Sequence, residues 1–137
     1  TARAMLTGMT VGTGPEHIVR AALECVAYQA ADLLNAMTLD SGLTFDALKV
    51  DGGMVANDWL CQFLADILDM SMLRPANIET TALGAAFLAG TGAGIWSALP
   101  DATSRVPLDR HFVPTMGMTE RNRLLSGWRD AVRHVLC

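Results

Sequence analysis

The residues able to do chemistry cluster between Lys49 and Asn57. Leu48-Lys49-Val50 closes a short apolar run, Asp51 follows, then Gly52 and Gly53, and Asn57 stands where a helical pattern begins. A strand that ends in two glycines and enters a helix leaves backbone close to whatever sits above it, with unpaired N–H groups facing outward. In open α/β sheets such junctions, at the carboxyl ends of strands, bind ligands, nucleotides above all. Spacing alone leaves two readings open, a ligand turn or a plain strand-to-helix connection. Asp51 also has two readings. It is a metal ligand or proton acceptor, or it fixes the turn by hydrogen bonding, and the second is favoured. Lys49 is the only lysine, so an amine catalyst has one candidate. His17, in the first turn of a helix, reads as a surface or capping side chain. Gly12 and Gly14 lack the third glycine and the preceding strand that a dinucleotide fingerprint needs. No Ser/His/Asp or Cys/His set has a local signature, and Cys25, Cys61 and Cys137 have no metal-ligand spacing. Buried reduced thiols are their expected state, which suits a cytosolic compartment.

The elements that must position this turn follow from periodicity. Pro15 in a first turn, with Thr13 and Glu16 set as a capping box, predicts a helix from Pro15 to about Leu39, ending at Ser41-Gly42. Val19, Ala22, Val26, Leu33 and Met37 form one apolar stripe and Ile18, Cys25 and Tyr28 another, so this helix is expected to be covered on two sides. Phe45 to Val50 is the best strand. Trp59, Leu60, Phe63, Leu64, Ile67 and Leu68 give the core face of a helix from Asn57 to about Leu68. Ser71 to Arg74 reads as a second strand, parallel to the first by the handedness of the crossover, and is stopped by Pro75. Thr80 or Thr81 is expected to cap a helix from Ala82 to about Gly90, built almost wholly of small residues. Its glycines need compensation from close approach of a helix or of a ligand. Residues 97–118, with Pro100, Pro107 and Pro114, read as a connector. Thr119 is expected to cap an amphipathic helix to about Leu136. Ala2 to Thr10 is a strand or an ordered loop.

Bulk properties add bounds. A chain of 137 residues is one domain with a modest core. Hydrophobic residues make up 51% of it, and mean hydropathy is +0.30. That excess predicts a partner-covered surface, self-association into a homo-oligomer, or an absent part of the molecule. The start at Thr1, without a leader or an initiator Met, reads as a cut. Two strands under four helices are too little sheet, so more strands are expected. The net charge of −4 gives no field to attract nucleic acid. The longest apolar run, Ala82 to Trp96, is too short to span a bilayer.

Several segments together resemble a known family. They are Ala4-x-Leu6-x-Gly8-Met9 with His17-Ile18-x-x-Ala21-Ala22-Leu23-Glu24, then the run from Val50-Asp51-Gly52-Gly53 to Asn57-Asp58-Trp59-Leu60, and Arg74-Pro75. Glu79-Thr80-Thr81-Ala82-Leu83-Gly84-Ala85-Ala86-Phe87-Leu88-Ala89-Gly90 follows, then Thr119-Glu120-Arg121-Asn122 with Gly127-Trp128. In this order they are similar to the C-terminal part of the FGGY carbohydrate kinases, in particular the glycerol kinases. The resemblance implies an α/β fold, part of a ribonuclease H-like domain of the actin/hexokinase/Hsp70-like ATPases that lacks its first strands. Residues 1–137 would be the C-terminal portion of the family's nucleotide-binding domain. It implies a kinase that phosphorylates glycerol with ATP and Mg²⁺, in the cytoplasm, together with a missing N-terminal domain. Gly53 and Asn57 would contact the adenine nucleotide, with Gly52 and Met54 shaping the same wall. No catalytic residue is expected on this chain, and Asp51 is not the family's catalytic aspartate by motif. The alternatives are another FGGY sugar kinase, for xylulose or gluconate, and a non-catalytic actin-like nucleotide-binding module.

Overall fold

The parallel strand pair expected around the Gly-Gly turn is present. Strands β1 (Ala47–Lys49) and β2 (Ser71–Pro75) run parallel, with Ala47 opposite Ser71 and Lys49 opposite Leu73. Between them lie a 3-10 turn (Gly53–Ala56) and helix α2 (Asp58–Leu68). Helix α1 (Pro15–Ser41) precedes the pair, and helix α3 (Thr80–Gly92) follows it. Strand β3 (Leu108–Phe112) then pairs antiparallel with β2, giving the order β1-β2-β3, and helix α4 (Met118–Leu136) closes the chain. The computed structural model describes residues 3–98 and 106–136.

The core gathers on α2. Leu60, Cys61, Phe63, Leu64, Ala65 and Ile67 are buried, with Ala27 and Tyr28 of α1 and with Val50, Met72 and Phe112 from the sheet. Helix α2 touches α1, β2, β3 and α4. The Tyr28 ring meets Phe63 edge-on at 5.8 Å and stacks on Trp128 of α4 at 5.5 Å. Burial, followed by the hydrogen bond to Glu24, pushes the Tyr28 phenol well above its ordinary range. Trp128 is held in place as its Nε1 donates to Asp32 of α1 at 2.7 Å.

Several local expectations are corrected. Helix α1 is capped by Gly14, whose N–H donates to His17 Nδ1 at 3.0 Å, while Thr13 Oγ1 accepts from the Thr10 N–H at 2.9 Å. Thr13 is therefore spent on the turn before the helix. At the far end Gly42 adopts φ 68°, and its N–H closes on the Thr38 carbonyl. Only one flank of α1 is covered, since Val19, Leu33 and Met37 are exposed. Helix α3 starts at Thr80, capped by Glu79, and α4 starts at Met118, one residue before the expected Thr119 cap. Residues 3–10 form no strand, and Ala2 lies outside the described residues. The expected connector contains β3. Pro107 and Pro114 flank that strand rather than interrupt it, and Pro100 lies outside the described residues. Of the thiols, Cys61 is buried and Cys25 half-buried, both free, while Cys137 lies outside the described residues. No described helix is long and apolar enough to cross a membrane.

Two buried polar side chains tie the later segments to α2 and β2. Asp66 is 7% exposed, and its Oδ1 accepts from the N–H groups of Thr115 at 2.6 Å and Met116 at 3.0 Å. Gln62 supports it, donating to Asp66 at 3.1 Å and to the Val113 carbonyl at 2.8 Å. Arg74 is 9% exposed; it donates to Asp109 of β3 at 2.8 Å and to Asp58 of α2 at 2.8 Å. Its guanidinium also lies over the Phe112 ring at 5.3 Å. Replacing Asp66 by Ala orphans two backbone donors and should cost roughly 2–3 kcal/mol in urea unfolding, with Asp66→Asn losing less. An unchanged midpoint for Asp66→Ala would show that this loop is not held there. Arg74→Met takes the cation from Asp109, whereas Asp58 keeps its ion pair with Arg110. Both carboxylates are half exposed, so the expected loss is about 2 kcal/mol, below the value for a fully buried pair.

Candidate functional site: the Gly52–Asn57 turn

The turn begins where the parallel ladder ends. The Val50 N–H donates to the Leu73 carbonyl at 3.1 Å, carrying the pairing one residue past β1. Gly52 then takes φ 87° and ψ 167°, a conformation open to glycine and strained for any other residue. Its N–H donates to the Ile78 carbonyl at 2.9 Å, and its carbonyl accepts from the Val55 N–H at 3.2 Å, closing the 3-10 turn. Gly53 differs from Gly52. Its φ is not in the left-handed region, and a Cβ built on it meets nothing within 4 Å. Met54 is 53% exposed. Asn57 ends the turn and caps α2, its Oδ1 accepting from the Leu60 N–H at 3.3 Å.

The base of the turn is fixed by charge. The buried Val55 carbonyl accepts from Arg74 Nη1 at 2.7 Å and from the Cys61 thiol at 3.2 Å. The hydrogen bond to Asp109 leads in holding the Arg74 guanidinium above its usual range; burial opposes this and Asp58 adds to it. Burial pushes the Cys61 thiol up, against the pull of the neighbouring Arg74 cation. Asp51, exposed at the strand end, accepts a hydrogen bond from the Thr80 hydroxyl.

Gly52, Gly53, Met54 and Asn57 therefore lie along one stretch, and all but the half-buried Gly52 are exposed. None of them lines the adjoining cavity of about 360 Å³, which is walled by Lys49, Asp51, Thr80, Leu83, Gly84 and Phe87 among others. The turn and the cavity meet at Asp51. Lys49 is exposed, and His17 is spent on the start of α1. Sequence reasoning missed Arg74 as the anchor beneath the turn and Thr80 as the partner of Asp51. A signal for Arg74 was present, since an arginine between Leu73 and Pro75 in a buried strand needs partners. The small residues of α3 also resolve. Ala82, Ala85, Ala86 and Ala89 are exposed, whereas Gly90 lies beneath the Trp96 ring, where an added Cβ would fall 2.1 Å from a ring carbon. Among the described residues no group of three or more His, Cys, Asp or Glu side chains is placed to hold a metal ion.

With this geometry in view, the chain can be compared with known proteins. Residues 1–93 match the pattern of the FGGY family of carbohydrate kinases, C-terminal domain. A glycerol kinase of Shewanella baltica is 54% identical over 131 residues, which is 96% of this chain and 26% of the relative. That of Shewanella amazonensis is 54% identical over 135 residues, 98% of this chain and 27% of the relative. The chain thus spans about a quarter of the length of the curated relatives it matches. Among solved structures, Plasmodium falciparum glycerol kinase with ADP superposes with a TM-score of 0.83 at 36% identity, over 99% of this chain and 27% of that one. Gluconate kinase from Lactobacillus acidophilus shares the fold at a TM-score of 0.75 and 18% identity, over 97% of this chain and 27% of that one. The α/β architecture expected from the motifs is therefore that of the sugar kinases with an actin/hexokinase-like ATPase fold. The match over residues 1–93, which takes in the turn and α3, places the chain in the FGGY family of carbohydrate kinases.

Proposed function

We propose that this chain is the C-terminal part of a glycerol kinase and forms one wall of its ATP site. In that role Gly53 and Asn57 contact the adenine nucleotide, with Gly52 and Met54 shaping the surface beside them. The observation that carries the reading is the pair Gly52 and Gly53. Gly52 is glycine because its φ is 87°, whereas among the described residues no contact requires a glycine at Gly53. The open space above Gly53 is where a ligand can approach the backbone, next to the N-terminus of a capped helix. The similarity to a glycerol kinase solved with ADP supports a nucleotide as that ligand.

All of residues 1–137 belong to this wall's domain on this reading, because β3 pairs with β2 and α4 rests on α2. The whole enzyme would transfer the γ-phosphoryl group of ATP to a glycerol hydroxyl, giving sn-glycerol 3-phosphate. Mg²⁺ would neutralise phosphate charge during that transfer. Catalytic groups and the glycerol pocket lie on the rest of the enzyme, and the compartment is the cytoplasm. Apolar side chains left open along α1, such as Val19, Leu33 and Leu39, support further protein over that face, from the same enzyme or a second subunit.

Gly53→Val in the intact protein tests the reading. An added Cβ at residue 53 meets nothing within 4 Å among the described residues, so the unfolding midpoint should hold, while the crowded nucleotide loses roughly 1–3 kcal/mol of binding. That corresponds to a rise of about 5- to 150-fold in KM for ATP, with KM for glycerol unchanged. An unaltered KM for ATP would remove the turn from the nucleotide site. Absence of glycerol-dependent ADP release by the wild-type intact protein would remove the activity.

A further inference from the structure

Two links leave the turn for the segment that leads into α3. The Asp51 carboxylate accepts from the hydroxyl of Thr80, the first residue of α3, and the Gly52 N–H donates to the Ile78 carbonyl at 2.9 Å. The path between these anchor points is itself fixed, because the Asn77 side chain accepts from the Glu79 N–H at 2.9 Å. Helix α3 has little else to seat it among the described residues. Gly90 is its only buried residue, and its alanine face is open. Asp51 and Thr80 also form a polar end of the cavity of about 360 Å³, whose walls are otherwise mostly apolar. A carboxylate and a hydroxyl meeting there join two elements that share few apolar contacts.

We infer that Asp51 is a positioning residue for the nucleotide wall. Through Thr80 it couples the place of the α3 N-terminus to the backbone of Gly52 and Gly53. The inference rests on the nucleotide-wall reading of the turn and assigns Asp51 neither metal nor proton transfer. What the link requires is an acceptor at residue 51 and a hydroxyl at residue 80. An amide oxygen satisfies the first condition and a serine the second, which sets this role apart from one that needs the negative charge. Movement of α3 would then be felt at the nucleotide, and nucleotide binding would hold α3 in place.

The test is a double-mutant cycle read as ADP affinity by calorimetry in the intact protein, beside KM values for ATP and glycerol. Asp51→Ala and Thr80→Val should each weaken ADP about fivefold, the loss expected for one hydrogen bond. The double variant should be no weaker than either single one, because both remove the same link. Asp51→Asn and Thr80→Ser should restore affinity, and KM for glycerol should not follow the change. Additive losses, unchanged affinity in both single variants, or a loss in Asp51→Asn equal to that in Asp51→Ala would each overturn the inference. Should Asp51→Ala fail to fold, the comparison of Thr80→Val with Thr80→Ser decides alone. Wild-type protein that binds no ADP would instead overturn the reading of the turn, an outcome visible before any variant is made.

Discussion

The buried guanidinium of Arg74 is the constraint on which the rest of this chain depends. It meets an acceptor from each element that must stay together: Val55 of the turn, Asp58 at the start of α2 and Asp109 of β3. An arginine is suited to this because its donors lie in one rigid plane and can serve several acceptors at once, which a lysine ammonium cannot do in the same geometry. Removing a cation from water is costly, and two carboxylates with an aromatic face offset that cost here. The turn that carries Gly53 is thus held from below by charge, while its upper surface stays free.

A division of labour between the two sides of the sheet follows. Helices α1, α2 and α4 share the aromatic cluster of Tyr28, Phe63 and Trp128 and form the cohesive body. Helix α3 stands apart and is joined mainly through short polar links at its start, while at its end Trp96 folds back onto Gly90 and Phe87 of the same helix. Local stability is therefore uneven, and elements with few apolar contacts are those able to move at low cost.

Much of this was legible in the sequence, for physical reasons that differ by element. The α2 face from Trp59 to Leu68 announced itself by helical spacing, and the parallel pair followed from strand, crossover and strand. The turn was legible as a strand-to-helix junction from two adjacent glycines after a strand, but spacing left a ligand turn and a plain connection both open, and only the family motifs pointed to a nucleotide. Strand β3 was not legible. Leu108-Asp109-Arg110-His111-Phe112 is mostly exposed and is a strand because β2 supplies its partner, and prolines on both sides disguised it. The cap at Gly14 was missed because Thr13 fits a local rule but is used by Thr10 instead. Long-range partners such as Thr80 for Asp51, or Thr115 for Asp66, carry no local periodicity, so nothing in the sequence marks them.

The contrast between Gly52 and Gly53 has a consequence for anyone who would re-engineer such a protein. Gly52 resists replacement because the fold itself needs its dihedral angles. Gly53 is under no such restraint, so replacing it by alanine would stiffen the unfolded chain and should stabilise the native state slightly. A screen scored on thermostability or expression would welcome that change and never register a loss. With a nucleotide over the turn as proposed, only a screen scored on ligand would retain the glycine. On the proposed reading of the turn, the two neighbouring glycines answer to different demands, one to folding and one to use.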